Sequence, residues 1–371
     1  MNADDQTSPA ASQPHVTMSG YYGFANTGDD AILEATIGGI TQFAPHAQFT
    51  VLADSTGDTK NINYLPRYEP RSVWRALKPP GLFLSGGGGL FQDVTSRRSL
   101  FYYLGILWLA KARGMKTMVY AQGLGPLKRQ SSQTAVRFVL RRADAITLRD
   151  TASEALLADI GLSNLAFITA DPAFTLEPAT SERVDEIFSD EAVPTAGRRI
   201  GVALRPWTGL DEKRETAIVE ALRLAAYHLQ AHLVFIGMHS PRDQTLSDRI
   251  AARVDRAGTV IRGVYRPSEV AGILGRCDAV IAMRLHALIL AAISGTPAAA
   301  ISYDPKVPAA AIQLGLPCLD VDDLDAHGLF TVVQELVASG ATERERIRSA
   351  ARIQRDRAGE NFEIIRRLLS P

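Results

Sequence analysis

The sequence predicts an α/β protein made of two consecutive doubly wound, Rossmann-like domains with a cleft between them. Three observations carry this expectation. At 371 residues the chain exceeds what one hydrophobic core usually organises. Short apolar runs alternate with longer amphipathic ones almost throughout, the pattern of a parallel sheet covered on both faces. That alternation pauses once, in a polar stretch at 177–199 holding Gly197 and two prolines, and then resumes.

In the first half, strands are expected at 16–18, 49–52, 82–84, 117–120 and 145–147, with helices at 30–43, 100–113, 131–142 and 151–160. In the second half, strands are expected at 200–204, 233–236, 279–282 and 298–301. Helices fall near 212–230 and 244–256, and another begins at Leu285. The charged amphipathic segment 343–369 reads as a helix closing a domain. The boundaries follow: a polar tail over 1–14, an α/β domain over 15–180, a linker over 181–198 and a second α/β domain over 199–371.

The most apolar run, LFYYLGILWLAKA at 100–112, stops well short of the ~20 residues needed to span a bilayer. It reads as a buried helix, with a membrane-surface helix as the alternative. Lys plus Arg and Asp plus Glu both number 40, a formal net charge of zero. That balance argues against a nucleic-acid binder, which needs excess positive charge along the phosphates. It leaves room for a local basic site for a small anion. Two cysteines, Cys277 and Cys318, exclude a disulfide scaffold and a four-cysteine zinc site, and a reducing compartment is the simplest reading. The opening 1–14 lacks the basic start and apolar run of a signal peptide, so a soluble cytoplasmic protein is expected. His228 and His232 lack a metal-ligand context, and His15, His46, His239 and His327 are scattered. No metal is therefore expected.

In doubly wound domains, loops and helix N-termini beyond the carboxyl ends of strands present N–H groups to anions. Chemistry is sought there. The loop SGYYGFANTGDD follows the first strand; Asn26, Asp29 and Asp30 can bind sugar hydroxyls or cap the next helix. SGGGGLFQD follows the strand at 82–84, and its four adjacent glycines suit close backbone approach by a ligand. Ser85, Gly86, Gly87 and Asp93 are its candidates, while Arg97 and Arg98 are either anion contacts or surface charges. No Lys-Ser or Lys-Thr follows, so this is not a Walker-type loop. Gln122 stands at the next strand end.

In the second half, Arg205, Arg284, His286 and Lys306 all fall just beyond successive strand ends. An unpaired buried charge is costly. Each therefore has an ordinary reading as an ion pair or core hydrogen bond, whereas the set suggests a site for a compact di- or trianion.

The blocks YYGFANTGDDAIL (21–33), LFLSGGGGLFQDVTSRRSLFYYLGILWLAKARG (82–114), VYAQGLGPL (119–127), TLRD (147–150), DPAF (171–174), ALRPW (203–207) and MRLHALILAAISGTPAAAISYDPKV (283–307) stand in one order along the chain. Together they resemble polysaccharide pyruvyl transferases of the bacterial CsaB type. The resemblance implies an architecture similar to two-domain GT-B glycosyltransferases. It further implies transfer of an enolpyruvyl-derived group from phosphoenolpyruvate to a sugar of a cell-wall or exopolysaccharide unit, as a pyruvate ketal.

Carried onto matching positions, it makes His286 the catalytic acid or base. Arg284 and Lys306 become contacts to phosphoenolpyruvate, a co-substrate rather than a resident cofactor, and the count of cations beyond the strand ends adds Arg205 to them. Asn26, Asp29, Ser85, Gly86, Gly87, Asp93 and Gln122, in the first domain, would hold the acceptor, either lipid-linked or polymeric. Gly89 and Asp30 depart from the family pattern of Ser and Glu, which bears on the acceptor. The role of Arg149 in TLRD stays open, since an Arg-Asp pair opening a helix can simply be a cap. A glycosyltransferase, a sugar-nucleotide epimerase and a non-catalytic sugar- or anion-binding protein are the alternatives. A homo-oligomer and a peripheral contact with the inner face of the membrane, through Arg97, Arg98, Phe101, Tyr102 or Tyr103, stay open.

Overall fold

The computed structural model describes residues 13–54, 57–59, 61–94, 96–255, 257–304 and 306–370. The tail expected over 1–14 lies almost wholly outside them. The chain forms two compact units. One takes the chain up to Gly20, Ile37–Ile168 and everything from Phe362; the other takes Tyr21–Thr36 and Thr169–Asn361.

In chain order the elements up to residue 168 are β1 (His15–Ser19), α1 (Thr27–Phe43), β2 (Gln48–Ala53), β3 (Gly57–Thr59), β4 (Ile62–Pro66), α2 (Pro70–Ala76), β5 (Leu82–Gly88), α3 (Arg97–Ala112), β6 (Lys116–Gln122), α4 (Gln130–Leu140), β7 (Ala145–Leu148), α5 (Thr151–Asp159) and β8 (Phe167–Ile168). The strands of the first unit form one sheet in the order β3-β4-β2-β1-β5-β6-β7-β8. Every pairing is parallel except β3 with β4. Its central strand β5 is buried at every position, as a strand covered on both faces must be. The expected strands are all present. β4 went unanticipated because INYLP is half-buried throughout and lacks a run of core residues.

Helix α3 departs from the buried-helix expectation. Ser96 caps it, accepting from the Ser99 amide at 3.2 Å, and Leu100, Tyr103, Leu104, Ile106, Leu107 and Ala110 are buried. Its other face is open: Phe101 is 43% and Trp108 48% exposed. A run apolar all round cannot reveal which side the core covers. No helix among the described residues is long and apolar enough to cross a membrane.

In the second unit, a 3-10 turn at Pro172–Thr175 is followed by α6 (Ser181–Asp190), where a linker is expected. Val184, Ile187 and Phe188 are the buried positions of that helix, a one-sided stripe in an otherwise polar segment. The remaining elements are β9 (Arg198–Ala203), α7 (Glu212–His228), β10 (Ala231–Phe235), α8 (Arg242–Ala251), β11 (Gly258–Val260), α9 (Pro267–Gly275), β12 (Ala279–Ala282), α10 (Leu285–Ile293), β13 (Ala298–Ser302), α11 (Lys306–Leu314), β14 (Cys318–Asp320), α12 (Ala326–Ala338) and α13 (Gly340–Leu369). Gly272 of α9 sits against α6, where a β-carbon would meet Val184 Cγ2 at 2.7 Å.

The second sheet runs β11-β10-β9-β12-β13-β14, all parallel. This order doubles back between β9 and β12, the switch point where a doubly wound sheet presents its ligand site. Three chain passages depart from the expected boundaries. Residues 21–36 and 169–180 belong to the second unit, and the last residues of α13 belong to the first. There, a β-carbon on Gly39 would overlap the Phe362 ring, and Arg366 lies 4.9 Å from the centroid of Phe43.

Candidate active site of the second unit

Strands β10, β9, β12 and β13 lie side by side and parallel, so their carboxyl ends emerge together. Beyond them stand His239, Arg205, Arg284 and Tyr303 respectively. The same topology puts Lys306, the first residue of α11, beyond β13.

Arg205 donates from Nη1 to the Tyr303 hydroxyl and lies 4.6 Å from that ring's centroid. Its buried Nε has no hydrogen-bond partner among the described residues. A desolvated, unanswered donor on a guanidinium is costly, which is what an anion would relieve.

Arg284 is already committed in part. Its Nε donates to Asp243 Oδ2 at 2.8 Å and its Nη2 to Asp243 Oδ1, a bidentate pair with a carboxylate that is 0% exposed. The pair offsets much of the charge that the sequence assigns to donor binding. It also fixes the guanidinium beside β12, with Nη1 outside the bidentate contact.

His239 feels both arginines. Burial pushes its imidazole below the usual range, Arg284 pushes the same way, Asp243 opposes, and Arg242 and Arg205 lower it further. It is thus a neutral imidazole among guanidinium groups. Burial raises the Tyr303 phenol, while Arg205 and Arg284 both lower it. Those couplings place Arg205, Arg284, His239 and Tyr303 within one electrostatic neighbourhood.

His286 lies in the first turn of α10, which no side chain caps. Its Nε2 is 3.4 Å from Oδ2 of the buried Asp171, an ion-pair distance whose geometry falls short of a hydrogen bond. Asp171 in turn accepts from the Ala173 amide at 3.0 Å, heading the 3-10 turn Pro172–Thr175. This is an imidazole backed by a carboxylate at a helix N-terminus, where the helix dipole favours negative charge.

The glycine loop after β1 joins this site. The Thr27 amide donates to the Met238 carbonyl at 2.9 Å, and the Ser240 amide to the Ala25 carbonyl at 3.1 Å. Asn26 and His239 form an antiparallel bridge. The His286 ring rests against Gly28. Asn26 and Asp29, expected on the acceptor side, therefore sit in the same unit as the imidazoles. Their side chains engage each other: Asn26 Nδ2 donates to Asp29 Oδ2, and Asn26 Oδ1 accepts from the Gly28 amide at 3.2 Å.

The first-unit candidates have internal roles. Asp93 is buried, and its carboxylate accepts from the Lys128 and Arg129 amides, both at 2.9 Å. It anchors the approach to α4. Gln122 donates from Nε2 to the carbonyls of Gly88 and Gly123 at 2.8 and 3.0 Å. The glycine run also has a structural explanation: a β-carbon on Gly86 would stand 2.1 Å from the Tyr120 carbonyl, and Gly87 adopts φ 77°. Ser85 Oγ and Gln122 Oε1 are buried without a partner among the described residues. Arg149 is buried beside Gly123, while Asp150 caps α5 through the Ser153 amide at 2.7 Å.

His239 and Asp243 are the residues that sequence reasoning passed over. His239 follows a strand end closely and obeys the rule that selected Arg205. Asp243, in the first turn of a polar helix, gives no such signal. Among the described residues, no group of three or more His, Cys, Asp or Glu is placed to hold a metal ion.

The amylovoran biosynthesis protein AmsJ of Erwinia amylovora is 24% identical over 259 residues, covering 65% of this chain and 61% of that protein. The chain thus spans less than two thirds of that relative's length. Solved structures of similar fold include a glycosyltransferase from Rickettsia africae, with TM-score 0.61 and 12% identity over 97% of this chain and 100% of that one. HepE of Anabaena in complex with UDP-glucose has TM-score 0.59 and 11% identity over 96% and 99%. The UDP-GlcNAc 2-epimerase of Methanocaldococcus jannaschii has TM-score 0.61 and 10% identity over 92% and 98%. At such identities these show the fold, two parallel-sheet α/β domains like those of GT-B glycosyltransferases and epimerases. The family model for polysaccharide pyruvyl transferases matches residues 26–305, from the loop at Asn26 through Arg205, Arg284, His286 and Tyr303. By that match over most of its length, the chain belongs to the polysaccharide pyruvyl transferase family.

Proposed function

We propose that this chain transfers pyruvate from phosphoenolpyruvate to a hydroxyl pair on a saccharide, as a ketal, with release of phosphate. The acceptor is a cell-wall or exopolysaccharide precursor, lipid-linked or polymeric. The observation that best supports this reading is the buried, unanswered Nε of Arg205 at the β9/β12 switch point, beside Arg284, with His286 in the same unit.

Phosphoenolpyruvate brings a phosphate and a carboxylate, and guanidinium groups can bind either in a bidentate fashion. In this reading His286, oriented by Asp171, gives a proton to C3 of the enol, leaving C2 electrophilic. One sugar hydroxyl adds to C2 and the bond from C2 to the phosphate oxygen breaks, its electron pair leaving with phosphate. The second hydroxyl then adds to C2 and closes the ketal. Of the two hydroxyl protons, one restores His286 and one departs with phosphate, so the reaction needs no further reactant. Positioned proton transfer of this kind contributes about 10²–10⁴-fold. Arg205, Arg284 and Lys306 offset the charge growing on the leaving phosphate.

The test incubates purified chain with phosphoenolpyruvate and a lipid-linked or synthetic disaccharide. Phosphate release matched by an acceptor heavier by one pyruvate less one water supports the reading. Turnover only with a nucleotide sugar overturns it in favour of glycosyl transfer or epimerisation. Ligand binding without turnover, with an unaltered phenotype in His286→Ala cells, overturns it in favour of a non-catalytic binding protein.

A further inference from the structure

We propose that the outer face of α3 and α4 docks onto a bilayer carrying anionic headgroups. The proposal concerns the first unit alone and does not depend on the reading of the active site.

Two independent observations carry it. The first is apolar exposure. Phe101, Gly105, Trp108 and Ala112 form the exposed stripe of α3, where a helix on a water-facing surface normally turns polar residues outward. Phe101, Gly105 and Trp108, with Phe138 of α4, 48% exposed like Trp108, border an apolar groove of about 630 Å³ floored by Leu104 and Val139. Aromatic rings grouped around one groove suit an interaction surface.

The second is charge. Between Asp93 and Asp144 the chain carries ten Lys and Arg residues and no Asp or Glu, in a protein with 40 of each sign. Among these, Arg97 and Arg98 at the start of α3 and Arg137, Arg141 and Arg142 around the end of α4 are exposed. Arg97 lies 5.8 Å from the centroid of Phe101 and Arg142 lies 3.8 Å from that of Phe138. Phe101 and Phe138 thus each have a guanidinium beside them, so the rings can enter the acyl boundary while the cations meet phosphate headgroups.

Charge also selects the occupant. A second copy of this chain would set the same cation-only segment against itself, and like charges across an interface disfavour pairing. Tyr102 and Tyr103 take little part: Tyr103 is buried, and the Tyr102 hydroxyl donates to the Arg67 carbonyl at 2.7 Å.

The test measures flotation of the full chain with vesicles of phosphatidylcholine alone and of phosphatidylcholine mixed with phosphatidylglycerol. Binding is expected only to the mixed vesicles, weakening as salt rises. Each exposed cation near an anionic surface is worth about fivefold, so Arg97→Glu/Arg98→Glu/Arg142→Glu should weaken binding about a hundredfold. Trp108→Ser/Phe138→Ser should weaken it at least about tenfold without changing circular dichroism or the unfolding temperature, because both rings are largely outside the core. In Trp74→Phe/Trp207→Phe, Trp108 remains alone of three tryptophans, and its emission should shift to the blue on mixed vesicles. Equal binding to both vesicle types, no binding, or indifference to these substitutions overturns the proposal. A dimer, or a protein partner, that the wild type holds and Trp108→Ser/Phe138→Ser loses, without vesicle binding, overturns it in favour of a protein interface.

Discussion

The imidazole of His286 rests directly against the backbone of Gly28: a β-carbon there would stand 2.2 Å from Nδ1 and 2.6 Å from Cγ. Gly28 lies in the first turn of α1, and its conformation does not require glycine, since it is absent from the left-handed positions. Alanine would favour the helix by up to about 1 kcal/mol. The glycine therefore serves the neighbouring ring rather than its own helix.

Gly28→Ala should accordingly leave the unfolding temperature close to that of the wild type while forcing the imidazole aside. A misplacement of about 1 Å can cost 10²-fold in turnover. Phosphate release from phosphoenolpyruvate in the presence of a saccharide acceptor, measured beside thermal unfolding, checks this. Wild-type turnover in this variant would mean that the contact does not position His286.

The Arg284–Asp243 pair separates a structural duty from a chemical one. Removing the arginine alone strands a fully buried carboxylate, so Arg284→Met should cost about 3–5 kcal/mol of stability. Arg284→Met/Asp243→Leu replaces both charges with apolar groups and should recover most of that loss. Turnover should not return with stability, because the guanidinium proposed to bind the donor is gone. Urea unfolding and phosphate release on the same samples decide it. A double variant that regains turnover would reduce Arg284 to a counter-ion for Asp243.

The same pair shows what the sequence could and could not reveal. Arg205, Arg284 and His286 were legible because the flanking apolar strands β9 and β12 fix where the chain leaves the sheet, and parallel pairing brings those exits together. Asp243 was not legible. An acid in the first turn of α8 looks like an ordinary response to the helix dipole, and only tertiary packing turns it inward to 0% exposure. The reverse error occurred at Asp93, whose place near a glycine run suggested a ligand although the backbone amides of Lys128 and Arg129 occupy it. Such partners lie more than thirty residues away, beyond any local pattern. The passage of 21–36 into the second unit was hidden for a similar reason, since hydrogen bonds from Thr27 and Ser240 create it.

His239 should report anion binding. Burial, reinforced by Arg284, Arg242 and Arg205 against the opposing Asp243, holds its folded-state pKa below the usual 6.5. A depressed histidine contributes stability that is present above 6.5 and lost as pH falls through its unfolded and then its folded pKa. A phosphate placed among those arginines reverses part of the shift, so phosphoenolpyruvate should raise the midpoint. By linkage the anion should bind more tightly as pH falls across that window. A ¹H–¹³C titration of His239, with and without phosphoenolpyruvate, checks the sign; an unmoved midpoint would place the anion elsewhere.

Asp30, next to Asp29 in the first turn of α1, should impose the opposite pH signature. Burial pushes its carboxyl up to about 6 from 3.8; the Gly23 amide opposes this and Glu34 adds to it. The folded chain then holds a proton that the unfolded chain has released between those values. The contribution of Asp30 to stability is therefore greatest below pH 3.8, declines as pH rises through the window and stays low above about 6. A shift of this size corresponds to at most about 3 kcal/mol, less whatever its partial exposure to solvent screens. Asp30→Asn keeps an oxygen for the Gly23 amide and carries no charge at any pH. It should be more stable than the wild type above pH 6, with the advantage vanishing near pH 4, as chemical unfolding across that range would reveal. Parallel stability profiles for the two proteins would mean that Asp30 is ionised at no cost.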